Sequence, residues 1–423
     1  MRQTAFWQRR GDTRVIHGHL SAPMGLKVQL ILNIILNRGI QNIMRELQDI
    51  IATWKQIRNK RQMAALATLV KVEGSAYRRP GARMLITSDG QQVGTISGGC
   101  LESDVKERSL VVLETGIPTL VKYDTTSEDD LIWGLGLGCQ GIAYIFIERL
   151  NLEQPNALSL IEQCLSIARA GVVATVFSVG TTDKKNNVER ILLYPDGSMV
   201  SNINHSELDA IVKKDIRSVL QQKKSVSQSY VIAEGTAEVF LEVIVPPINL
   251  VIFGAGFDAL PVVHFAKALG WYVTVIDPQA RSQTKERFKY CDSVILASTN
   301  EVCSQIDFDD QTVAVVMSHN YLYDLEFLQT LSTISIKYLG ILGPKKRTNR
   351  LLLDLKSEGY IFPADGELYS PVGLDIGADN PEEIALSIIA EIQAVIQNRQ
   401  GGFLKDRNAP IHFDTPNYIL SKD

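Results

Sequence analysis

The chain repeats itself. At an offset of 107 residues, Ala67-Thr68 is matched by Ala174-Thr175, Arg83 and Leu85 by Arg190 and Leu192, and Asp89-Gly90 by Asp196-Gly197. Leu101, Val105 and Lys106 are matched by Leu208, Val212 and Lys213 on the same offset. At an offset of 94, Gly141, Ala143, Phe146 and Glu148 are matched by Gly235, Ala237, Phe240 and Glu242. A repeat of this kind marks a supersecondary unit that buries its apolar face against its neighbour. In the first copy residues 65–72 are β-rich, and residues 83–87 and 92–96 flank Asp89-Gly90, a dipeptide suited to tight hairpin turns. Residues 101–114 are helical in pattern and stop at Gly116. Residues 45–150 and 151–247 are expected to be two related β-hairpin/helix units, packed as one α+β domain over residues 44–247.

The second unit serves as an internal control on the first. Both keep the hydrophobic frame, but only the first carries Arg78-Arg79-Pro80-Gly81, Ser97-Gly98-Gly99-Cys100 and the glycine-rich stretch that ends in Cys139-Gln140-Gly141. Glu207 stands at the place of Cys100 and Ala233 at that of Cys139. Residues that one copy folds without are candidates for chemistry. Free N–H groups at Gly98 and Gly99, before a helix, would make an anion site, and a helix N-terminus lowers a thiol's pKa. A soft thiolate at Cys100 or Cys139 suits a soft metal or sulfur chemistry. Arg78 and Arg79 could clamp a phosphate. A cysteine alone is as a rule a small buried hydrophobe, and Cys164, Cys291 and Cys303 are left in that role.

After Pro246-Pro247 the pattern changes to alternating strands and helices, the signature of a parallel sheet. Residues 248–253 form a buried-strand run, followed by Gly254-Ala255-Gly256-Phe257-Asp258-Ala259 and a helix. A second strand ends at Asp277. In a Rossmann-like doubly wound sheet, Gly254 allows the tight turn, Gly256 admits a pyrophosphate, Ala259 permits close helix–strand packing and Asp277 accepts from a ribose hydroxyl. The same fold could hold another phosphate-bearing ligand, or none. Ser318-His319-Asn320 follows a further strand, so His319 has a site-like position, with Asp324 as an orienting partner or with His319 simply capping a helix. Lys345, Lys346 and Arg347 open another helix, as a phosphate clamp or a solvated turn.

Composition narrows the function. Net charge is −4 and pI about 6.0, so no basic footprint for nucleic acid exists. Five widely spaced cysteines without a CxxC pair argue against a disulfide framework or a structural zinc site, and for a reducing, cytoplasmic setting. Residues 1–44 carry six Lys/Arg against one acid, and the apolar stretch 26–40 is too short and polar to span a bilayer. Residues 1–43 are expected to be a non-native or disordered extension ahead of a helix at Met44. Residues 248–398 are expected to form the Rossmann-like domain and 399–423 a loose tail. The apolar helix 381–397 could pack within that domain or against a second copy in a homodimer.

The run Ala67-Thr68-Leu69-Val70, Arg78-Arg79-Pro80-Gly81-Ala82-Arg83-Met84 and Ser97-Gly98-Gly99-Cys100-Leu101-Glu102 resembles the N-terminal domain of the XdhC/CoxI family, the xanthine dehydrogenase accessory proteins. Gly254-Ala255-Gly256, Val316-Met317-Ser318-His319, Leu339-Gly340-Ile341-Leu342-Gly343 and the stretch from Pro371 to Ala378 resemble its C-terminal Rossmann domain. The resemblance implies a chaperone of molybdenum cofactor. Such a protein binds the pterin cofactor, protects it while a cysteine desulfurase supports its sulfuration, and delivers it to a xanthine dehydrogenase-type apoenzyme. The competing expectation is an NAD(P)-dependent oxidoreductase that uses Gly254, Gly256 and Asp277 for its cofactor and His319 as acid/base.

Overall fold

The computed structural model describes residues 43–74, 76–124, 141–179, 188–233, 235–309, 311–360 and 368–408. The expected extension (to residue 42) and the tail from residue 409 lie outside the described residues.

The first unit runs α1 (Ile43–Lys60), β1 (Ala64–Gly74), β2 (Arg83–Thr87), β3 (Gln92–Gly94), α2 (Glu102–Thr115), β4 (Thr119–Asp124) and β5 (Gly141–Arg149). The second repeats the order: α3 (Ala157–Ser166), β6 (Gly171–Val179), β7 (Glu189–Leu193), β8 (Met199–Ser201), α4 (Ser206–Gln222), β9 (Val226–Ile232) and β10 (Gly235–Ile244). The two five-stranded sheets share one topology, β3-β2-β1-β5-β4 and β8-β7-β6-β10-β9. Register repeats as well. Thr68 lies opposite Arg83 and Phe146, and Thr175 lies opposite Arg190 and Phe240. The expected pair of related units, followed by a Rossmann-like domain, is the observed fold class.

Strand alternation sorts side chains to two faces. Ala65, Ala67 and Leu69 of β1 meet Val105 and Val112 of α2, and Val172, Ala174 and Val176 of β6 meet Val212 and Ile216 of α4. Ala64, Leu66 and Val173, on the opposite faces, share a third core with both leading helices, through Ile50 and Trp54 of α1 and Leu158 and Ile161 of α3. Val70, Phe146, Phe177 and Phe240 form a small cluster of their own. Burying side chains of this size is worth roughly 1.5–3 kcal/mol each, so each unit needs the other's apolar surface.

Two ion pairs tie the units across this contact. Arg83 on β2 binds Glu242 on β10, with Nη1 2.7 Å from Oε1 and Nη2 bonded to Oε2. Arg190 on β7 binds Glu148 on β5, with Nη2 2.7 and 2.6 Å from the two carboxylate oxygens. All four side chains are buried. In both arginines Nε is buried without a hydrogen-bond partner.

The C-terminal sheet contains β11 (Asn249–Phe253), β12 (Tyr272–Asp277), β13 (Ser293–Leu296), β14 (Thr312–Val316), β15 (Tyr338–Ile341) and β16 (Leu368–Tyr369). Its order is β13-β12-β11-β14-β15-β16 and every pair is parallel. The helices are α5 (Ala259–Ala268), α6 (Gln283–Arg287), α7 (Thr299–Val302), α8 (Tyr321–Leu331), α9 (Lys345–Ser357) and α10 (Pro381–Ile396). Leu250 and Ile252 pack under α5 and α10, while Val251 and Phe253 pack under α8 and α9. Both faces of the central strand are therefore covered, which explains its unbroken apolar run. Of the two expectations for the last helix, packing within the domain holds: Ala385, Ile388, Ile389 and Ile392 are core residues. Among the described residues no helix is long and apolar enough to cross a membrane.

Replacing Arg83 by Met leaves Glu242 buried and unpaired, a change expected to cost about 3–5 kcal/mol, whereas an Arg83→Met, Glu242→Leu pair should recover most of the loss. Urea unfolding midpoints of the two variants test this.

Candidate functional site

The turn that carries Cys100 is held by two carboxylates. Glu102, in the first turn of α2, folds back over it. Its Oε1 accepts from the N–H of Ile96 (3.0 Å) and Ser97 (2.8 Å), and its Oε2 from the Ser97 hydroxyl (2.7 Å) and the N–H of Gly99 (3.0 Å) and Leu101 (3.1 Å). The Ser97 hydroxyl accepts in turn from the N–H of Cys100. Gly99 has φ +118°, the left-handed region that favours glycine. A side chain at Gly98 would stand 3.2 Å from the Tyr77 ring, so Tyr77 lies against bare backbone. Cys100 itself is exposed. Of the two glycine N–H groups expected to be free here, that of Gly99 is taken by the chain's own carboxylate. Burial pushes the Glu102 carboxyl up, but the Ser97 hydroxyl and the backbone donors outweigh it and hold the pKa below the usual value.

Glu46 holds the other side of the turn. It accepts from the Thr95 N–H (2.6 Å) and from both terminal nitrogens of Arg78 (3.0 Å each). Arg78 also donates to the Thr95 hydroxyl at 2.5 Å. The guanidinium of Arg78 is part-buried and engaged by Glu46 and Thr95, rather than free as a phosphate clamp would be; Arg79 is exposed. Burial outweighs these donors and pushes the Glu46 pKa up. A cleft of about 210 Å³ lies beside this pair, lined among others by Glu46, Arg78, Gly81, Arg83 and Glu242. Sequence reasoning missed Glu46 and Glu102 as site residues. A signal existed for Glu46: it sits in register with Ile50, Trp54 and Ile57, one acid inside an apolar helical stripe. At the twin of Glu102, Asp209 pairs with the Ser201 hydroxyl and with Lys213 at 2.6 Å instead. Cys139 and its glycine-rich loop lie outside the described residues.

A second constellation sits at the carboxyl ends of β11 and β14, where the strand order reverses. Gly254, with φ +133°, crosses so close to β14 that a Cβ would stand 2.5 Å from the Met317 carbonyl oxygen. Ala259, the first residue of α5, is fully buried in the core shared with Leu250 and Ile252, as its place in the motif requires. His319 has a left-handed backbone, φ +59°, fixed by its neighbours: Ser318 donates to Asp324, and Asn320 caps α8. His319 Nε2 lies 2.7 Å from Asp258 Oδ2, and the ionised carboxylate can only accept, so Nε2–H is the donor. The expected partner Asp324 serves elsewhere: it is buried, binds Ser318 and pairs with Arg347 at 2.7 Å. Lys345 and Lys346 are exposed.

These residues do not fit a nicotinamide dinucleotide. Asp277 is fully buried and already accepts from Arg281 Nε (2.9 Å) and Nη2 (3.2 Å), Thr284 Oγ1 (2.5 Å) and the Gln279 N–H (3.1 Å). Four donors saturate a carboxylate's lone pairs and leave none for a ribose hydroxyl. The Asp258 carboxylate covers Gly256, where a Cβ would overlap its Oδ1. Like charges about 4 Å apart repel by about 4 kcal/mol at an effective dielectric near 20, so a diphosphate is unwelcome there. Gly254, Gly256, Ala259 and His319 therefore lie together, around an internal Asp258–His319 hydrogen bond. Among the described residues no cluster of three or more His, Cys, Asp or Glu side chains forms a metal site.

The model of the XdhC and CoxI family matches residues 57–124, and that of the XdhC Rossmann domain matches residues 250–392. A Bacillus subtilis protein named as a probable xanthine dehydrogenase component is 35% identical over 338 residues, 80% of this chain and 93% of its own. An Escherichia coli protein named molybdenum cofactor insertion chaperone PaoD is 23% identical over 334 residues, 78% of this chain and 83% of its own. The crystal structure of a Bacillus halodurans protein described as a xanthine dehydrogenase aligns with a TM-score of 0.68 at 31% identity, over 83% of this chain and 96% of that one.

The lowered pKa of Glu102 has a pH signature. Its stabilising contribution is fully present above the unfolded value near 4.5 and is lost as pH falls through the lower folded value. Glu102→Gln should cost on the order of 2–3 kcal/mol at neutral pH. It should also flatten the fall in stability below pH 4.5, read from urea midpoints across an acid series.

Proposed function

We propose, from the premise that this chain belongs to the XdhC and CoxI family, that it is a maturation factor for a xanthine dehydrogenase-type molybdoenzyme. In this role it binds molybdenum cofactor, shields it, supports its sulfuration by a cysteine desulfurase and hands it to the apoenzyme. The proposed setting is the cytoplasm and the proposed assembly a homodimer. The relatives named for xanthine dehydrogenase and for cofactor insertion support the role.

The observation that carries the proposal is the Cys100 turn. An exposed thiol stands on backbone locked by Glu102 and flanked by the exposed face of Tyr77. The twin turn of the second unit has no such thiol, since Glu207 takes its place. A thiolate is a soft donor matched to a metal already dressed in sulfur ligands, and one exposed thiol binds and releases such a cargo without a closed protein cage. Cys139 is proposed as the second thiol. The chain is a carrier in this account, and the competing oxidoreductase loses its cofactor site to Asp258 and the saturated Asp277.

The test is retention of pterin by the full chain, purified from a host that makes the cofactor and then oxidised to release a fluorescent pterin. The parent should carry it, and Cys100→Ala, Cys139→Ala should lose at least about tenfold, the loss of roughly 1.4 kcal/mol of binding. A parent without pterin, or a double variant that keeps it, overturns the proposal.

A further inference from the structure

The second constellation has a logic of its own, independent of the Cys100 turn. Asp258 occupies the N-cap position of α5, yet its side chain makes no capping hydrogen bond. Its carboxylate turns instead toward Gly256 and His319. His319 Cδ2 lies 3.6 Å from the Cβ position of Gly256, so carboxylate and imidazole together cover the glycine. In a sheet of this order, that bare glycine and the following helix start are where a bridging diphosphate rests. The His319 side chain is exposed, but the backbone that carries it is fixed. Its backbone is held in the left-handed region between Ser318, tied to buried Asp324, and Asn320, tied to the first turn of α8.

We infer that Asp258 is an internal anion that fills the diphosphate position of the Rossmann crevice, and that its charge sets whether that half of the crevice admits an anionic ligand. Dinucleotides are refused because the carboxylate takes both the space over Gly256 and the positive end of α5. His319 is the clamp that keeps it there. The saturated Asp277 closes the ribose end separately, so removing the Asp258 charge reopens only the diphosphate half. Ser and Asn are both good N-cap residues, so Asp258→Ser and Asp258→Asn change the charge without weakening the start of α5.

The probe is inorganic pyrophosphate, which needs only the diphosphate half, titrated into the full chain by calorimetry, with circular dichroism confirming each fold. The parent should show no saturable binding up to about 1 mM, the weak end of specific affinity. Asp258→Ser should bind at least tenfold more tightly, and Asp258→Asn should gain less, since it removes charge but keeps the bulk. His319→Ala should gain little, because it leaves the charge in place. Tight pyrophosphate binding by the parent overturns the inference. So does an absence of binding in both Asp258 variants, which would mean that the crevice is no diphosphate site even when uncharged. Pterin retained on the same preparations reports on the Cys100 turn separately.

Discussion

Two buried ion pairs, Arg83 with Glu242 and Arg190 with Glu148, fix how the two N-terminal units meet. Each arginine comes from the hairpin of one unit and each glutamate from the last strand of the other. A slide of one sheet past the other would strand four charges away from water, at several kcal/mol each. The apolar contact around them, Val70 and Phe146 against Phe177 and Phe240, is adaptable by comparison. The candidate site inherits this register. Gly81, two residues from Arg83, stands so close that a Cβ would lie 2.9 Å from Glu242 Oε1, and its carbonyl accepts from Arg83 at 2.8 Å. The loop that begins at Arg78 is thereby seated against the second unit, while Glu46 holds it from the first.

Three consecutive residues translate that seating into the shape of the Cys100 turn. Thr95 gives its N–H to Glu46, and Ile96 and Ser97 give theirs to Glu102. The two carboxylates are opposites in chemistry. Burial wins at Glu46 and raises its pKa, whereas donors win at Glu102 and lower it. A similar device recurs in the Rossmann-like half, where Asp258 lies over the motif glycine and Asp277 is consumed by Arg281 and Thr284. In both halves an anion of the chain's own lies against a backbone motif suited to anions.

Much of the frame was legible in the residues. Arg83 and Arg190, and Glu148 and Glu242, surface as matches of the repeat, and the strand–glycine–helix spacing at Gly254 announces the parallel sheet. Their pairing across units was not legible. A repeat reports which positions are equivalent, and says nothing of which copy each side chain faces. The same limit explains the site. Glu102 reads as an ordinary acid at a helix start, where it favours the macrodipole, and only the folded turn directs it to four N–H groups. His319 was legible as a site residue from its place after a strand, but its partner was not. Asp324 is near in sequence and was the local guess, while Asp258 is 61 residues away and arrives through sheet order.

The duplicated unit has a consequence for how such a site can arise. In a symmetric dimer of identical subunits every substitution appears twice, so a strained glycine turn or an exposed thiol is charged to stability at both equivalent places. Joining the two units in one chain removes that doubling and keeps them at high effective concentration. One unit can then hold the frame in its plainest form while the other departs from it. The plain Asp209 turn and the caged Glu102 turn are the two outcomes within one molecule, a scaffold and a specialist joined by a single peptide.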